Sequence, residues 1–468
     1  MGCKIKILSH ACVLVKTETS SIVVDPWLIG SCYWRSWWNF PKPAFTESDV
    51  DDVDAVVISH VHWDHWHGPT LKKYFKGKTV ITAEDPNLRS EKDLRSIGFQ
   101  DVRRLPHSKS INIGDIKVTF YNFGLFLTDS AIVIEAGGIT ILNANDAKVA
   151  GWPLKKIVRD HGPIDFALRS HSSANSRICY EIPGDESFVS DDREHYFRSF
   201  KLFMDAVNPK FAVPFASNHC HLNEDVIKFN SYISNPIELR DYVEELNNDL
   251  DWNLKVMLPG SSWSSSCGFT FADETCFSDS QNYIKKYLED VHESIAVSRN
   301  RELELKINEK VLDRFRSILK KSGAINCEAK VRFLVTNPSG PCESLLFNGG
   351  ALIKTDIFSE SPEKGTSTIV IPNIVFRDAI IKNMFHHAAI SKRCRYLAYD
   401  SSDMDALKNF VGKLERYELT GDIDMPYLKR LVFSYFGRWR EFFVYAKALY
   451  LLKFKKMELH HIEEEILK

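Results

Sequence analysis

The feature of the sequence that most constrains its fold is a cluster of histidines and one aspartate directly after a short apolar run. Residues 55–58 are Ala-Val-Val-Ile, a pattern that predicts a buried strand ending at Ser59. The next loop carries five side chains that can bind metal: His60, His62, Asp64, His65 and His67. Because residues two apart in extended backbone point to the same side, His60 and His62 predict one metal site, with Asp64 and His65 on a second site beside it. The alternative, a solvated histidine-rich turn, is disfavoured by this spacing after a strand.

Four more segments accompany this loop along the chain: His10–Val15, Asp25–Gly30, Ile141–Asp146 and Pro214–Ala216. Together with residues 58–73 they resemble the catalytic part of the CMP-N-acetylneuraminate hydroxylases, iron oxygenases of nucleotide sugars within the metallo-β-lactamase superfamily. The similarity runs from Ser9 to Asn247 and continues more weakly to Leu397. It implies an α/β fold, the αββα sandwich of that superfamily, followed by a smaller α+β C-terminal region.

The apolar pattern agrees with this arrangement. Strands alternate with helices from Ala55 to Leu105, which is typical of helices packed outside a sheet. From Ile111 to Asn143 the pattern predicts strands only, with Gly137-Gly138 as a two-residue hairpin turn. We expect a catalytic domain over residues 1–270, an α+β domain over residues 276–420 and an amphipathic helical tail over residues 421–468.

Further metal ligands are expected where later strands end. Asp146 closely follows a predicted strand, and the resemblance makes it the carboxylate that bridges the two metals; an Asx turn is the alternative. Asp64 and Asp146 are the expected catalytic carboxylates. His221 matches, by the resemblance, the position that completes the second site with Asp64 and His65. His219 is two residues away, so one histidine of this pair is expected to bind metal and the other to support it.

The third ligand of the first metal is where the sequence departs from its relatives. The resemblance places a histidine within residues 122–128, and this stretch contains none. Asp129 aligns with an aspartate of the hydroxylases, and an oxygen donor there would favour iron or manganese over zinc. His107 is the other candidate, although it lies in a Pro-His-Ser turn. We expect two metal ions, with iron favoured and zinc or manganese as alternatives.

Two loops are the candidate substrate-binding segments. The loop from Trp27 to Phe40 is dense in aromatic residues, including Trp37 and Trp38, and either caps a core or lines a pocket. The loop after the predicted strand 166–169 carries Arg169, His171 and Arg177, and two guanidinium groups suit a phosphate or carboxylate. A solvated loop is the alternative. These features predict a small anionic substrate.

Composition limits the partners and the compartment. Sixty basic and sixty-two acidic residues give no net field to hold nucleic acid, so no nucleic-acid partner is expected. The ten cysteines form no Cys-x-x-Cys pair, and the first residues lack an apolar leader, so we expect a cytoplasmic protein with reduced thiols. No Cys-x-His sequence occurs to hold a Rieske cluster. An oxygenase reaction would therefore require a separate iron–sulfur electron carrier and a reductase.

The C-terminal residues predict helices without ligands. His386 and His387 are adjacent on a predicted helix and point apart, which predicts structural or solvent-facing side chains. The tail from Met425 onward is apolar and basic, but charged residues interrupt every window long enough to span a membrane. It could lie on a membrane surface or a partner, or dock on its own domain.

Two classes of function remain. Resemblance favours an iron-dependent oxygenase acting on a nucleotide-activated or otherwise anionic sugar. The superfamily also contains many hydrolases, in which two metals hold a hydroxide that attacks an ester, amide or phosphodiester. A binding protein with a vestigial metal site is a third, weaker reading.

Overall fold

A computed structural model of the chain describes residues 2–124, 129–172, 174, 176–185, 193–246, 250–457 and 459–468. The strands, numbered along the chain, are Lys4–Ile7 (β1), Val13–Lys16 (β2), Ser21–Val24 (β3), Ser31–Cys32 (β4), Trp37–Asn39 (β5), Ala55–Ile58 (β6), Thr79–Ala83 (β7), Val102–Leu105 (β8), Ser110–Ile113 (β9), Ile116–Phe123 (β10), Asp129–Ala136 (β11), Ile139–Asn145 (β12), Phe166–Arg169 (β13), Tyr180–Glu181 (β14), Phe211–Pro214 (β15), His219–His221 (β16), Asn253–Leu254 (β17), Ser262–Ser264 (β18), Gly268–Thr270 (β19), Val331–Asn337 (β20), Gly340–Asn348 (β21), Ala351–Lys354 (β22), Ser367–Pro372 (β23) and Arg395–Leu397 (β24).

The helices are numbered in the same way. They are Ser48–Asp51 (α1), Gly68–Tyr74 (α2), Arg89–Ser96 (α3), Gly151–His161 (α4), Arg193–Val207 (α5), Pro236–Glu245 (α6), Ser280–Glu304 (α7), Glu309–Lys321 (α8), Asn373–Lys382 (α9), Phe385–Ile390 (α10), Ser401–Thr420 (α11), Met425–Gly437 (α12), Arg440–Phe454 (α13) and Leu459–Leu467 (α14).

Two large sheets face each other in the N-terminal half of the chain. The first has eight strands in the order β19-β18-β1-β2-β3-β6-β7-β8, and the second has seven in the order β17-β15-β13-β12-β11-β10-β9. Apolar side chains from both sheets, among them Ile5, Val57, Phe120 and Ile134, form one buried cluster between them. Burial of this shared apolar surface holds the two layers together.

Helices cover the outer faces of both sheets. Leu71 of α2 and Leu94 of α3 pack on the first sheet, and side chains of α4, α5 and α6 pack on the second. The layers are therefore helix, sheet, sheet and helix, which confirms the predicted αββα sandwich. The predicted hairpin turn is also present, because Gly137 and Gly138 both have positive φ between the antiparallel strands β11 and β12.

A third sheet forms the core of the C-terminal region. Its six strands follow the order β14-β24-β23-β20-β21-β22, and residues of α8 to α11 pack against it. This is the expected α+β region. Its edge strand β14 comes from residues 180–181, so a segment from within the first half of the chain joins the C-terminal sheet. The three predicted domain boundaries stay predictions.

The last two helices, α13 and α14, lie against the second sheet's helical layer. Val444 of α13 and Leu467 of α14 belong to the buried cluster that also contains residues of α4, α5 and α6. Among the described helices, none combines the length and the apolar character needed to cross a bilayer.

Candidate metal centre

The predicted metal ligands lie where several strands of the two facing sheets begin or end. The loop with His60 follows β6, which runs parallel to its neighbours β3 and β7. Asp129 begins β11 in the second sheet, and Asp146 directly follows β12. His10 occupies the turn between β1 and β2. Sandwich geometry therefore brings side chains that are far apart in sequence to one edge of the fold.

One group of candidate ligands contains His60, His62 and Asp129. Nε2 of His60 lies 2.8 Å from Nδ1 of His62 and 4.0 Å from Oδ1 of Asp129. One ligand atom from each of the three side chains lies within 4.8 Å of the others, which is close enough for a single ion. The group thus consists of two imidazoles and one carboxylate, rather than three imidazoles.

Two further groups share residues with the first. His10, Asp64 and His65 form one, with Nε2 of His10 at 3.2 Å and Nε2 of His65 at 3.4 Å from Oδ2 of Asp64. His60, His65 and Asp146 form the other, with Nε2 of His65 at 3.2 Å from Oδ2 of Asp146. Because Asp146 lies close to histidines of both groups, it has the position expected of a bridging carboxylate.

Neighbouring side chains fix the orientation of these residues. Asp25 accepts hydrogen bonds from the Ser59 backbone amide at 2.7 Å and from the Ser59 hydroxyl at 2.6 Å, and its Oδ2 lies 2.8 Å from Nδ1 of His65. A carboxylate on the far nitrogen of a histidine leaves the other nitrogen available to a metal. The Tyr33 hydroxyl donates to Oδ1 of Asp64 at 2.6 Å.

Burial and mutual proximity shift the pKa values of the candidate ligands in the metal-free chain. Burial, and then the neighbouring His65, lower the pKa of His60 to about 3, so its imidazole is neutral near pH 7. Burial, and then the charge of Asp146, raise the pKa of Asp129 to about 7. His65 differs, because the charges of Asp64 and Asp25 outweigh burial and raise its pKa well above the usual value. A metal bound at its site would therefore displace a proton from His65.

His221 is not a member of these three groups, and its role as a ligand stays a prediction. Its Nδ1 lies 3.0 Å from the backbone carbonyl of Ser36, and its Nε2 is buried without a partner among the described residues. A row of rings separates it from His65: the ring centroid of His10 lies 6.0 Å from that of His65 and 5.8 Å from that of His219, which lies 5.4 Å from that of His221. His10 therefore stands beside Asp64 and His65 in the place expected for His221.

The C-terminal region also reaches the metal loop, which the sequence did not predict. Nε2 of His386 in α10 lies 3.1 Å from Nε2 of His62. His387 is buried, with Nδ1 on Glu418 and Nε2 at 3.3 Å from the Val61 carbonyl oxygen. Of the two predicted alternatives, structural or solvent-facing side chains, the contacts of His387 fit the structural one. His107 is not near the ligands, since its Nδ1 lies 3.2 Å from the Asn122 carbonyl oxygen and its ring packs on Tyr121.

The two predicted substrate loops place their side chains in different surroundings. Trp37 is buried and stacks on His219 at 3.8 Å between ring centroids, and Trp38 packs on Tyr287. Contrary to the prediction, the buried guanidinium of Arg169 is directed away to Glu463 of α14, at 3.0 Å. Its stacking on Phe203 of α5 is consistent with a structural role.

The other two predicted substrate-binding residues are His171 and Arg177. His171 is buried near His10, and both of its ring nitrogens lack partners in the described part of the chain. Arg177 is exposed at the start of a short 3-10 helix. Residues 125–128, part of the stretch in which the resemblance placed a histidine, lie outside the described residues.

A cavity of about 950 Å³ adjoins the metal loop. Aromatic side chains form much of its wall: Tyr33, Trp34, Trp38, Trp63 and Trp66. Its charged lining residues are Arg35, Arg89, Lys382, Asp93 and Asp378. The wall contains metal-loop residues that alternate with the ligands, including Val61 and Trp63, and Tyr33 connects the cavity to Asp64.

Residues 4–123 match a family model described as the beta-lactamase superfamily domain. The predicted superfamily resemblance is confirmed. The cytidine monophosphate-N-acetylneuraminic acid hydroxylase of Pongo pygmaeus is 41% identical over 274 residues, which are 53% of this chain and 44% of that protein. A Mycolicibacterium smegmatis protein named for a Rieske 2Fe-2S iron–sulfur centre is 27% identical over 275 residues, or 54% of this chain and 52% of that protein. The chain spans about half the length of these relatives.

Solved structures with the metallo-β-lactamase architecture also align with this chain. CmlA, a diiron β-hydroxylase from Streptomyces venezuelae, aligns with a TM-score of 0.38 and 19% sequence identity, covering 56% of this chain and 53% of CmlA. At this level the alignment carries no argument about activity.

Sequence reasoning missed two residues of the metallo-β-lactamase centre. His10 was visible as part of a segment shared with the hydroxylases, but nothing in its spacing connected it to Asp64. His386 gave no signal, because it follows the metal loop by more than three hundred residues and only tertiary packing joins them.

Proposed function

We propose that the chain is the catalytic part of a dinuclear iron oxygenase that acts on a nucleotide-activated or otherwise anionic sugar. The observation that carries the proposal is the grouping of His60, His62 and Asp129. Two imidazoles and one carboxylate are the donor set that non-haem iron(II) oxygenases use, and catalytic zinc sites use the same set, so it is the resemblance to the hydroxylases that favours iron.

The residues present fit such a metal pair. Oδ1 of Asp129 and Nδ1 of His10 are buried and lack hydrogen-bond partners in the part of the chain that the structure describes. Buried polar atoms are ordinarily paired, because leaving one unpaired costs about 1–3 kcal/mol. Bound cations would satisfy Asp129 directly and offset the repulsion among Asp64, Asp129 and Asp146.

When bound, the two ions would supply the dioxygen chemistry and the electrons of a reduced iron centre. The chain's own groups would hold and orient the ligands. Asp25 would fix His65, the Tyr33 hydroxyl would fix Asp64, and His386 would fix His62 through its far nitrogen. Such supports would restrict rotation of the ligand side chains and keep their nitrogen and oxygen atoms directed at the metal site.

The substrate proposal rests on the cavity beside the metal loop. Its volume, about 950 Å³, is large enough for a nucleotide sugar, and tryptophan and tyrosine faces suit a base or sugar ring. Arg89 and Lys382 form ion pairs with Asp93 at 2.5 Å and Asp378 at 3.0 Å, which also line the cavity. Arg35 is therefore the guanidinium that we propose for a phosphate, in place of the predicted Arg169. The name of the hydroxylase relatives suggests cytidine monophosphate-N-acetylneuraminic acid as the first compound to test.

The electron supply is part of the same proposal. The given sequence contains no Cys-x-His pair of the kind that holds a Rieske cluster, and an iron–sulfur carrier with a reductase is the source of electrons in this proposal. Relatives named for a Rieske 2Fe-2S centre support a carrier of that type.

The alternative is a metal-dependent hydrolase of an ester, amide or phosphodiester. The beta-lactamase superfamily match favours it, since the arrangement of a bridging carboxylate between two metal sites equally suits a metal-activated water. In that case neither dioxygen nor a reductant would be needed.

Isotopic labelling distinguishes the two. The iron-loaded chain would be given cytidine monophosphate-N-acetylneuraminic acid, dithionite with a Rieske-type ferredoxin, and dioxygen labelled with oxygen-18. The proposal predicts a product heavier by one labelled oxygen atom. Turnover under anaerobic, reductant-free conditions, with oxygen taken from water, would instead establish the hydrolase.

A further inference from the structure

The outer face of the helix pair α12 and α13 is apolar although it faces solvent. Phe433, Phe436, Phe442 and Phe454 are 74–76% exposed, and Trp439 is 48% exposed. Helices that pack on a protein body ordinarily expose polar side chains on the opposite face. We define these five residues as the exposed aromatic face. A contiguous apolar surface of this kind marks an interaction site.

The inner side of the same helices is firmly seated on the fold. Arg438 pairs with Glu441 at 2.7 Å and donates to the Gly124 carbonyl oxygen at 2.5 Å, and both of these charged side chains are buried. Val444 packs into the cluster beneath α4 and α5. The exposed aromatic face is therefore a preformed surface, held by contacts that leave its side chains turned outward.

The charge of residues 425–457 indicates what kind of partner binds the exposed aromatic face. Between Met425 and Met457 there are eight basic residues and one acidic residue, Glu441, which the buried Arg438 neutralises. The other seven are Lys429, Arg430, Arg440, Lys447, Lys453, Lys455 and Lys456, in a chain whose overall net charge is −2. Positive charge is thus concentrated on the segment that exposes the aromatic rings.

We propose that the exposed aromatic face docks on an anionic lipid surface, with its aromatic side chains at the headgroup level and the surrounding lysines and arginines on the lipid phosphates. Amphipathic helices that lie in the membrane interface combine these two features, and clusters of four to eight basic residues recognise anionic lipids. Tryptophan and tyrosine prefer this interface as well. A second copy of the chain is a poorer occupant, because it would bring two basic faces together.

The docked orientation would include the catalytic unit. Trp152, at the start of α4, is half-exposed and contacts the rings of Phe443 and Trp439 at 4.9 and 5.9 Å between centroids. Gly124, which binds Arg438, ends the described strand that precedes Asp129 in the sheet. Docking would therefore hold the metal-binding half of the chain at a fixed orientation to the lipid.

Vesicle co-sedimentation of the full chain tests the proposal. Vesicles of phosphatidylcholine with 30 mol% phosphatidylserine should bind at least tenfold more tightly than pure phosphatidylcholine, and binding should weaken as salt screens the charges. The triple variant Phe433→Ser, Phe436→Ser, Phe442→Ser should lose at least tenfold in affinity. Its matched control is Phe271→Ser with Ile353→Ser and Ile357→Ser, three exposed apolar residues elsewhere, which should bind as the wild type does.

A set of charge-reversal variants is the second part of this experiment. Lys453→Glu, Lys455→Glu and Lys456→Glu should abolish the preference for phosphatidylserine, whereas Lys72→Glu, Lys73→Glu and Lys76→Glu, exposed on and after α2, should not. Circular dichroism confirms that each variant is folded, and hydrogen exchange of the wild type should show protection of residues 425–454 by vesicles. Equal binding to neutral vesicles, unchanged binding of the serine variant, or a concentration-dependent dimer that protects the same residues without lipid would overturn the proposal.

Discussion

Asp129 is the residue on which the choice of metal depends. Its carboxylate stands 4.0 Å from Nε2 of His60. It directly follows residues 122–128, the stretch in which the resemblance placed a histidine that this sequence lacks. A hard oxygen donor in place of a third imidazole lowers the preference for zinc and favours iron or manganese. The identity of one side chain thus bears directly on the class of reaction.

Replacing Asp129 with histidine should therefore reverse the metal preference. The variant would offer three imidazoles, a set that suits zinc, so the ratio of bound iron to bound zinc should fall by roughly tenfold or more. Metal content after dialysis against equimolar iron(II) and zinc under anaerobic conditions measures this ratio. His107→Gln is the control, since His107 binds the Asn122 carbonyl and should not alter the metal content. An unchanged ratio in the Asp129 variant would show that this carboxylate is not a ligand.

Asp25 illustrates a different role for a carboxylate, because it supports a candidate ligand without facing the metal groups. Substituting Asp25 with Asn should weaken metal binding at the site that contains His65 by about 10- to 100-fold, the usual cost of losing such a support. Cobalt(II) titration, followed by absorbance, gives the affinity. Asp54→Asn is the matched control, as Asp54 accepts from the Ser21 backbone amide at 2.7 Å and fixes only a loop. Equal loss in both variants would indicate general destabilisation.

At the level of elements, the strand that precedes the metal loop was predictable from the sequence. The side chains that other elements bring near the loop were harder to predict. β6 spans Ala55–Ile58 as the apolar run predicted, because four buried aliphatic residues followed by polar ones have few alternative placements. Asp129 and Asp146 were predictable from resemblance, since each is tied to a strand end. Arg169 was misjudged because the sequence cannot show that Glu463, almost three hundred residues later, pairs with it.

The short helix α10 is a second example of contacts at the metal site that depend on tertiary packing. Its two adjacent histidines have no local partner that would reveal a role, and the observed contacts depend on packing of the C-terminal sheet against the sandwich. His386 meets His62, and His387 meets Glu418 of α11. A pattern confined to one segment cannot encode a contact between two units, which is why this part of the site could not be predicted.

The role of His386 can be tested separately from the fold. His386→Ala should lower metal affinity at the His60 and His62 site by about 10- to 100-fold, because His62 would lose the group that orients its far nitrogen. His386→Gln should restore part of the affinity, since an amide can still reach His62. The cobalt(II) absorption spectrum reports the geometry of the site, and Lys382→Gln serves as an exposed control on the same region. Identical spectra and affinities in all variants would assign His386 a packing role only.

At the scale of the molecule, metal binding should couple to stability. Three carboxylates, Asp64, Asp129 and Asp146, lie close together. Burial, and then the charge of Asp146, raise the pKa of Asp129, whereas the neighbouring His65 lowers the pKa of Asp146, so Asp129 is the carboxylate that a bound cation would stabilise most. Adding metal at about 100 times its Kd should stabilise the native state by roughly 2.7 kcal/mol and raise Tm by a few degrees. Differential scanning calorimetry with and without a chelator measures the change. Asp129→Ala should show a smaller rise, and an equal rise would place the stabilising ion elsewhere.

The central claim is that two iron ions occupy this edge of the sandwich, and the most direct measurement is the metal content of the full chain purified without oxygen. Inductively coupled plasma mass spectrometry should find about two iron ions per chain and little zinc, in keeping with a carboxylate-rich dinuclear site. The double variant His60→Ala, Asp146→Ala, which removes the histidine that two of the groups share and the candidate bridging carboxylate, should retain almost none. Two zinc ions per chain, or iron that persists in the double variant, would contradict the account.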